Sequence, residues 1–232
     1  LFRLSLFRIV LGYADEVFVS PSNDQTRTYA YLAVGAEGLV ILDVSDPAAP
    51  REAGRYETEG YAAGVFVSVR GDKVYAYGAA GEEGLVALDV SDPSTPRLAR
   101  TLPLPGSPSS PGYAAHVLVS GDYAYVAAGE AGLVIVDVSD PELPWEVGRY
   151  DTEGYASEVA VSFPHAYVAD GKRGLRVIKV ENPSLLVEVG SYRTISAQNE
   201  AVPTFSSGVA VSGAYAYLAN GRVGLKVVEF LS

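Results

Sequence analysis

The sequence predicts an all-β fold, a five-bladed β-propeller made of four-stranded antiparallel blades, with the N-terminal strand closing the last blade. Three observations predict it: a block that recurs five times, a spacing between copies that suits a four-stranded blade, and a composition rich in strand and turn residues. The 232 residues include 24 Gly, 14 Pro and 16 Tyr, and 48% are hydrophobic. This composition favours many strands and turns and disfavours disorder or long helices.

The recurring block reads GLVILDVSDP at residues 38–47. It returns at 84–93 and 132–141, and in altered form at 174–183 and 224–232. Successive copies begin 46, 48, 42 and 50 residues apart, which is the range of propeller blades. Counting from Gly224 through the C-terminus and on from Leu1 to Gly38 again gives 46 residues. The spacing therefore predicts one closed ring and a single domain over residues 1–232.

Each repeat contains four strand-like segments. Strand A is a V-x-V-S segment and strand B a Y-A-Y segment, both alternating with period two. Strand C is the GLVIVDV segment, and strand D precedes the next repeat. Gly-rich turns join B to C, and a Ser-Asp-Pro turn follows C, where the Asp side chain is expected to cap the turn. The predicted blades span residues 12–59, 60–111, 112–153, 154–204, and 205–232 together with 1–11.

The N-terminal segment is predicted to complete the last blade. Residues 4–9 align with the place where other repeats carry strand D. An unpaired last blade would expose a bare strand edge, so this segment would latch the ring. Met is absent, including at position 1, and we therefore expect a processed or excised segment of a longer translation product.

Charge and composition exclude several function classes. The formal net charge is -11, from 28 acidic and 17 basic residues, which disfavours nucleic acid and anionic membrane surfaces as partners. The chain has no Cys, which excludes disulfides, thiolate metal sites and cysteine nucleophiles. No run of 18 apolar residues occurs, so no membrane insertion is expected. With only His116 and His165 available, no Ser-His-Asp arrangement can be assigned, and no catalytic residue is proposed.

One position at the start of strand A carries the candidate site. The D-to-A and B-to-C loops of a propeller emerge on one face around the central channel, where function usually gathers. The five repeats place there, in order, Glu16, Gly64, His116, Glu158 and Gly208, and this repeat position is called the ring position below. We predict a ligand-binding channel mouth formed by Asp15, Glu16, His116 and Glu158.

The chemistry of this mouth leaves alternatives open. Glu16, His116 and Glu158 can together ligate a divalent metal such as Zn, Mn or Fe, the one cofactor that the sequence suggests. The same groups can equally hold a sugar or a water cluster by hydrogen bonding. In the simplest interpretation the position tolerates any small or polar residue facing a wet channel, and Gly64 and Gly208 are fillers.

The repeats resemble a known family. Leu133–Asp137 spells LVIVD, and Leu39–Asp43 and Leu85–Asp89 are close variants, so the chain is similar to the LVIVD-repeat family over nearly its whole length. The resemblance implies a bacterial or archaeal propeller that is exported or attached to the cell surface, with no assigned reaction. Lys179 and Glu229 replace the signature Asp, which indicates that the Asp is structural rather than a shared ligand.

The sequence favours a non-catalytic binding or scaffold propeller. Such a module would present its loop-rich face to a protein or glycan partner, because variable residues decorate a uniform frame. We expect it to be a monomer. One alternative is a five-bladed glycosidase or lyase that uses Glu16 and Glu158 as its carboxylate pair. Another is a sugar-binding lectin with one site per repeat.

Overall fold

The computed structural model describes residues 12–106, 111–193 and 205–230. Within these ranges the regular structure is almost entirely β. The strands are β1 Glu16–Pro21, β2 Thr28–Ala33, β3 Leu39–Asp43, β4 Arg51–Tyr56, β5 Gly64–Arg70, β6 Lys73–Ala79, β7 Leu85–Asp89, β8 Arg97–Leu102, β9 His116–Ser120, β10 Tyr123–Ala127, β11 Leu133–Asp137, β12 Trp145–Tyr150, β13 Glu158–Ser162, β14 His165–Ala169, β15 Leu175–Lys179, β16 Val187–Tyr192, β17 Gly208–Ser212, β18 Tyr215–Ala219 and β19 Leu225–Glu229. A single 3-10 turn, Gly221–Val223, precedes β19.

The strands form five antiparallel sheets, which are called blades 1 to 5 below. Blades 1 to 4 have four strands each, paired in chain order from β1–β4 to β13–β16, and blade 5 contains β17, β18 and β19. This confirms the predicted fold class of antiparallel blades. The predicted closing strand at residues 1–11 lies outside the described residues and stays a prediction. In the described parts of the chain, no helix is long and apolar enough to cross a membrane.

The turns within a blade depend on a few residue types. Gly132 in the B-to-C turn of blade 3 has φ +79, and a Cβ there would lie 2.2 Å from the carbonyl oxygen of Tyr150. Only glycine fits both the left-handed conformation and the close approach. After strand C, the side chain of Asp137 accepts hydrogen bonds from the N–H and hydroxyl of Ser139, at 2.9 and 2.6 Å. The signature Asp is therefore structural, as expected.

Neighbouring blades pack face to face through apolar side chains. Tyr31, Leu39 and Ile41 of blade 1 lie in one buried cluster with Val65 and Val67 of blade 2. Equivalent clusters join blade 2 to blade 3, blade 3 to blade 4, and blade 4 to blade 5. Burial of these side chains is the main source of stability for a stack of repeats, each of which contacts its neighbours.

A short β-bridge also links the B-to-C turn of each of blades 1 to 4 to the start of strand A, the inner strand, in the next blade. In the first bridge the N–H of Gly35 donates to the carbonyl of Ala62 at 3.0 Å, and the N–H of Ala62 donates to the carbonyl of Gly35 at 2.9 Å. The bridges are Gly35 with Ala62, Gly81 with Ala114, Gly129 with Ala156, and Gly171 with Ser206. They fix the start of each inner strand, and so they position the residues of the channel mouth.

Candidate functional site: the channel mouth

The inner strands begin around one shared cavity of about 430 Å³. All four predicted ligand-binding residues line it, together with residues that lie one or three positions before the ring position of a repeat. The lining residues are Asp15, Glu16, Tyr61, Ala63, Tyr113, Ala115, His116, Tyr155, Ser157, Glu158 and Ser207. The structure thus brings the four aligned residues to one cavity, and their role as ligands stays a prediction.

Side chains at the ring position bind the backbone of the following blade. Glu16 Oε2 accepts a hydrogen bond of 2.9 Å from the N–H of Val65. Glu158 Oε2 accepts one of 3.0 Å from the N–H of Val209. His116 makes the same contact more weakly, since its Nδ1 lies 3.4 Å from the N–H of Val159. One pattern thus recurs at three of the blade junctions, and each time it runs in the same direction around the channel.

Two glycines make room for the two carboxylates. A Cβ on Gly64 would lie 3.0 Å from Glu16 Oε2, and a Cβ on Gly208 would lie 2.8 Å from Glu158 Oε2. These distances are shorter than normal contacts, so any larger residue would push against the carboxylate. Because Gly64 and Gly208 have no side chain, they leave the space that the carboxylate of a neighbouring Glu occupies. The interpretation of these two glycines as fillers is therefore wrong.

His116 lies between the two glutamates. Its Nε2 is 3.2 Å from Glu16 Oε1 and 4.0 Å from Glu158 Oε1. If the imidazole is neutral and Nδ1 accepts from the N–H of Val159, its proton is on Nε2 and is donated to Glu16. Burial raises the pKa of Glu158, while a protonated His116 and the hydrogen bond from Val209 act to lower it. The three side chains thus form one group at the floor of the cavity, with the imidazole within 4.0 Å of both carboxylates.

Aromatic side chains form the wall above this floor. The Tyr113 and Tyr155 ring centroids are 6.4 Å apart at 47°, and those of Tyr155 and Phe205 are 6.4 Å apart at 42°. A hydrogen bond with Asp15 raises the pKa of Tyr61 to about 12. The sequence analysis assigned no role to these aromatic residues and did not identify this wall. The available signal was their place in each repeat, three residues before the ring position.

A second cavity of about 480 Å³ adjoins the mouth and shares Tyr61 and Tyr113 with it. Glu59, Glu82 and Glu83 line it, and they come from D-to-A and B-to-C loops. These two kinds of loop therefore share one face, as predicted. The carboxylate of Glu83 also accepts a hydrogen bond of 2.7 Å from the N–H of Glu59, which ties the loops together. The mouth and this adjoining cavity are thus both acidic and aromatic.

The predicted metal site has little support in the geometry. Across residues 12–106, 111–193 and 205–230, no group of three His, Cys, Asp or Glu residues is arranged to hold a metal ion. Glu16, His116 and Glu158 each use one atom to accept a backbone N–H, and the proton on His116 Nε2 occupies its second nitrogen. A metal on His116 Nε2 would need the proton of the neutral ring on Nδ1, which would remove the hydrogen bond from Val159, whereas each carboxylate has a second oxygen that makes no backbone hydrogen bond. Metal binding therefore stays a prediction.

Carbohydrate cleavage has one feature in its favour and one against it. The raised pKa of Glu158 suits a general acid. However, the imidazole of His116 lies between the two carboxylates, in the space where a glycosidase holds the scissile bond.

The repeated four-stranded sheets, joined blade to blade around a shared mouth, define a β-propeller. The chain belongs to the LVIVD repeat family, whose model matches residues 12–58, 59–102, 111–152, 153–194 and 205–229. No curated protein matches the sequence.

Solved structures similar to this chain share its fold at low sequence identity. The computationally designed Ika8 protein is 8% identical with a TM-score of 0.61, and the match covers 93% of this chain and 58% of Ika8. A functionally unknown protein from Desulfotomaculum acetoxidans is 15% identical with a TM-score of 0.67, covering 96% and 68%. The β-propeller domain of Cps50 (Swd1) from Myceliophteria thermophila is 15% identical with a TM-score of 0.65, covering 93% and 70%. The chain is thus shorter than each of these structures.

Proposed function

We propose that this propeller is a binding module whose channel mouth captures a basic segment of a partner protein. Propellers commonly mediate protein interactions, and a repeated frame with a loop-rich face suits a binding or scaffold role. The observation that carries the proposal is the composition of the mouth. Carboxylates of Asp15, Glu16 and Glu158 lie beside three tyrosines, and its lining residues include no Lys or Arg.

This composition favours a cationic group. A Lys or Arg side chain that enters the cavity meets carboxylates and the faces of Tyr61, Tyr113 and Tyr155. An ammonium or guanidinium over an aromatic face gains about 0.5–2 kcal/mol, more where water is excluded. Glu59, Glu82 and Glu83 extend the negative surface beyond the mouth. The net charge of -11 would also attract a basic partner and accelerate its association.

A glycan is the second candidate. The neighbouring rings of Tyr113, Tyr155 and Phe205 offer flat apolar faces, and aromatic faces combined with hydrogen-bonding groups suit the apolar and hydroxyl sides of a sugar. Ser157 and Ser207 add hydroxyl groups to the same cavity. A glycosidase or lyase is supported only by the raised pKa of Glu158.

One set of measurements separates these functions. The chain is titrated with a deca-arginine peptide and with an uncharged Gly-Ser peptide of equal length, and it is applied to a glycan array. Binding of the basic peptide that weakens with added salt, without binding of the uncharged one, supports the proposal. Glycan binding without peptide binding contradicts it and supports a lectin. Turnover of a bound glycan that is lost in Glu158→Gln would indicate an enzyme.

A further inference from the structure

A cavity of about 490 Å³ lies between blades 1 and 2, where the A-to-B loop of blade 1 faces the C-to-D turn of blade 2. These turns lie at the opposite end of the sheets from the mouth, where the inner strands begin. The rings of Tyr29 and Tyr31 and the side chains of Val74, Val90 and Pro93 give the cavity an apolar floor. Ligand-binding cavities of roughly 300–1,000 Å³ combine such a floor with a few polar groups.

The polar wall of this cavity is an insertion that only the first blade shows among the described A-to-B connections. Six residues, 22–27, separate β1 from β2, whereas two residues, Gly71 and Asp72, separate β5 from β6. The side chain of Asn23 donates a hydrogen bond of 3.0 Å to the carbonyl of Asp72. The insertion is therefore tied across the junction to blade 2, and it encloses the cavity instead of pointing away into solvent.

This wall offers hydrogen-bond acceptors. Asp24 Oδ1 accepts hydrogen bonds from the hydroxyls of Ser22 and Thr26, at 2.6 and 2.8 Å. Hydrogen bonds from these two residues lower the pKa of Asp24 to about 2, so the carboxylate is ionised at neutral pH. Asp24 Oδ2 makes no hydrogen bond with any described residue. Asn23 uses its Nδ2 on blade 2 and keeps its Oδ1 as a second acceptor.

The cavity also offers donors. Only 3% of Tyr31 is exposed, yet its hydroxyl makes no hydrogen bond with any residue that the structure describes. Burial raises the pKa of Tyr31 to about 12, so the hydroxyl keeps its proton and can donate it. The guanidinium of Arg27 binds Asp43 through Nη1 at 2.8 Å and has further N–H groups beside the cavity. Buried polar groups in proteins normally have a partner, so the Tyr31 hydroxyl indicates that a ligand completes this site.

The next junction shows how a side chain of the protein can span such a space. Ser22 and Arg70 occupy equivalent positions, two residues after the Ser that ends the V-x-V-S segment. Arg70 extends to blade 3, where it pairs with Asp122 at 2.8 Å, and it lies beside Tyr77, the residue equivalent to Tyr31. Ser22 is too short to reach across, so the space beside Tyr31 stays open.

We infer that this second cavity binds a neutral saccharide unit, independently of the mouth. Asp24 and Arg27 place opposite charges on one wall, so a cation and an anion each meet repulsion there. An uncharged ligand that both donates and accepts hydrogen bonds avoids this repulsion. Sugar hydroxyls donate to Asp24 and Asn23 and accept from Tyr31 and Arg27, while the C–H face of the ring packs on the apolar floor.

An array of neutral glycans, followed by NMR titration with a glycan that binds, tests this inference. Tyr31→Phe removes one hydroxyl and keeps the ring, and it should weaken binding about three- to tenfold. Ser22→Arg places in the cavity the side chain that spans the next junction, and it should abolish binding. Tyr125→Phe is the matched control, because Tyr125 is the equivalent residue of blade 3 and is also 3% exposed. It should bind like the unaltered chain.

Three results would overturn the inference: no neutral glycan bound by the unaltered chain, unchanged binding in Tyr31→Phe, or equal weakening in Tyr31→Phe and Tyr125→Phe. Glycan binding that is weakened by Asp15→Asn and kept in Tyr31→Phe would place the sugar at the mouth and would also overturn it. The deca-arginine peptide should bind Tyr31→Phe as it binds the unaltered chain. The titration with the peptide therefore tests the mouth separately from this cavity.

Discussion

The carboxylate of Glu16 in blade 1 accepts a hydrogen bond of 2.9 Å from the backbone N–H of Val65 in blade 2. The bond satisfies a backbone donor at the start of an inner strand, where strand pairing within the blade does not reach it. It also fixes the carboxylate, so that its second oxygen is presented to His116. A hydrogen bond across two blades thus serves both the junction and the site.

Replacing Gly64 should destabilise the propeller. In Gly64→Ala the new Cβ would lie 3.0 Å from Glu16 Oε2 and 3.2 Å from the Cα of His116. Relief of these contacts would break the bond to Val65 or shift a strand, which we expect to cost about 1–3 kcal/mol. Urea unfolding measures this loss. Gly190→Ala is the matched control, because Gly190 lies in a strand and a Cβ there meets nothing closer than 3.8 Å.

Removing the carboxylate should partly rescue this substitution. In a Glu16→Ala background, Gly64→Ala no longer meets an oxygen, so the two losses should be less than additive. Strictly additive losses would mean that the carboxylate and the glycine do not interact, and they would contradict the geometry described here.

The B-to-C turn should be sensitive to glycine replacement for two separable reasons. Gly132 has φ +79 and would place a Cβ 2.2 Å from the carbonyl of Tyr150, whereas Gly121 has φ +59 and would place one in open space. Gly121→Ala should therefore lose about 1 kcal/mol from backbone strain alone. Gly132→Ala should lose several times as much, because the turn must also move. Equal losses in thermal unfolding would contradict this explanation.

A buried carboxyl in blade 4 should make stability depend on pH. Asp170 is fully buried, accepts a 2.6 Å hydrogen bond from Thr152 and lies 3.3 Å from Arg176. Burial raises the pKa of Asp170 from 3.8 to about 6, against the opposing effects of these two partners. A carboxyl with a higher pKa in the folded chain destabilises the fold once it ionises. Its contribution therefore becomes less favourable as the pH rises from about 4 to about 6, and is constant above that range.

Asp170→Asn removes this titration and keeps an acceptor for Thr152. Asn220 occupies the equivalent position in blade 5, so the fold accommodates an amide there. The stability of the unaltered chain relative to the variant should fall by on the order of 2–3 kcal/mol between pH 4 and pH 7. Chemical unfolding at several pH values measures it. A stability difference that is constant over this range would contradict the raised pKa.

The sequence was sufficient to predict the blade and to find the repeat position whose residues line the shared cavity. Strand limits follow from period-two alternation and from glycine and Asp turns, because these signals act locally. The ring position was found by aligning Glu16, His116 and Glu158, since repeats place equivalent residues at equivalent points. The sequence also shows that each Glu at the ring position is followed by a glycine at the ring position of the next blade. The reason became clear only from the structure, in which each Glu side chain points towards that glycine.

Other features could not be predicted from the sequence. The tyrosine wall depends on where Tyr61, Tyr113 and Tyr155 lie relative to the channel, and an aromatic residue in a repeat is equally consistent with packing. Whether blade 5 packs against blade 1 depends on the angle between successive blades. Repeat spacing fixes the length of a blade and carries no information on the angle between blades, so 46 residues suit a closed ring and an open arc equally.

The central claim is that the acidic, aromatic mouth binds a cationic group, and calorimetric titration with the deca-arginine peptide tests it most directly. The comparison is between Asp15→Asn at the mouth and Asp72→Asn, a residue in the A-to-B turn at the opposite end of blade 2. Both variants lose one negative charge. The account predicts that Asp15→Asn weakens binding about three- to tenfold, while Asp72→Asn changes it less than about twofold. Equal weakening by both variants, or no binding by the unaltered chain, would contradict it.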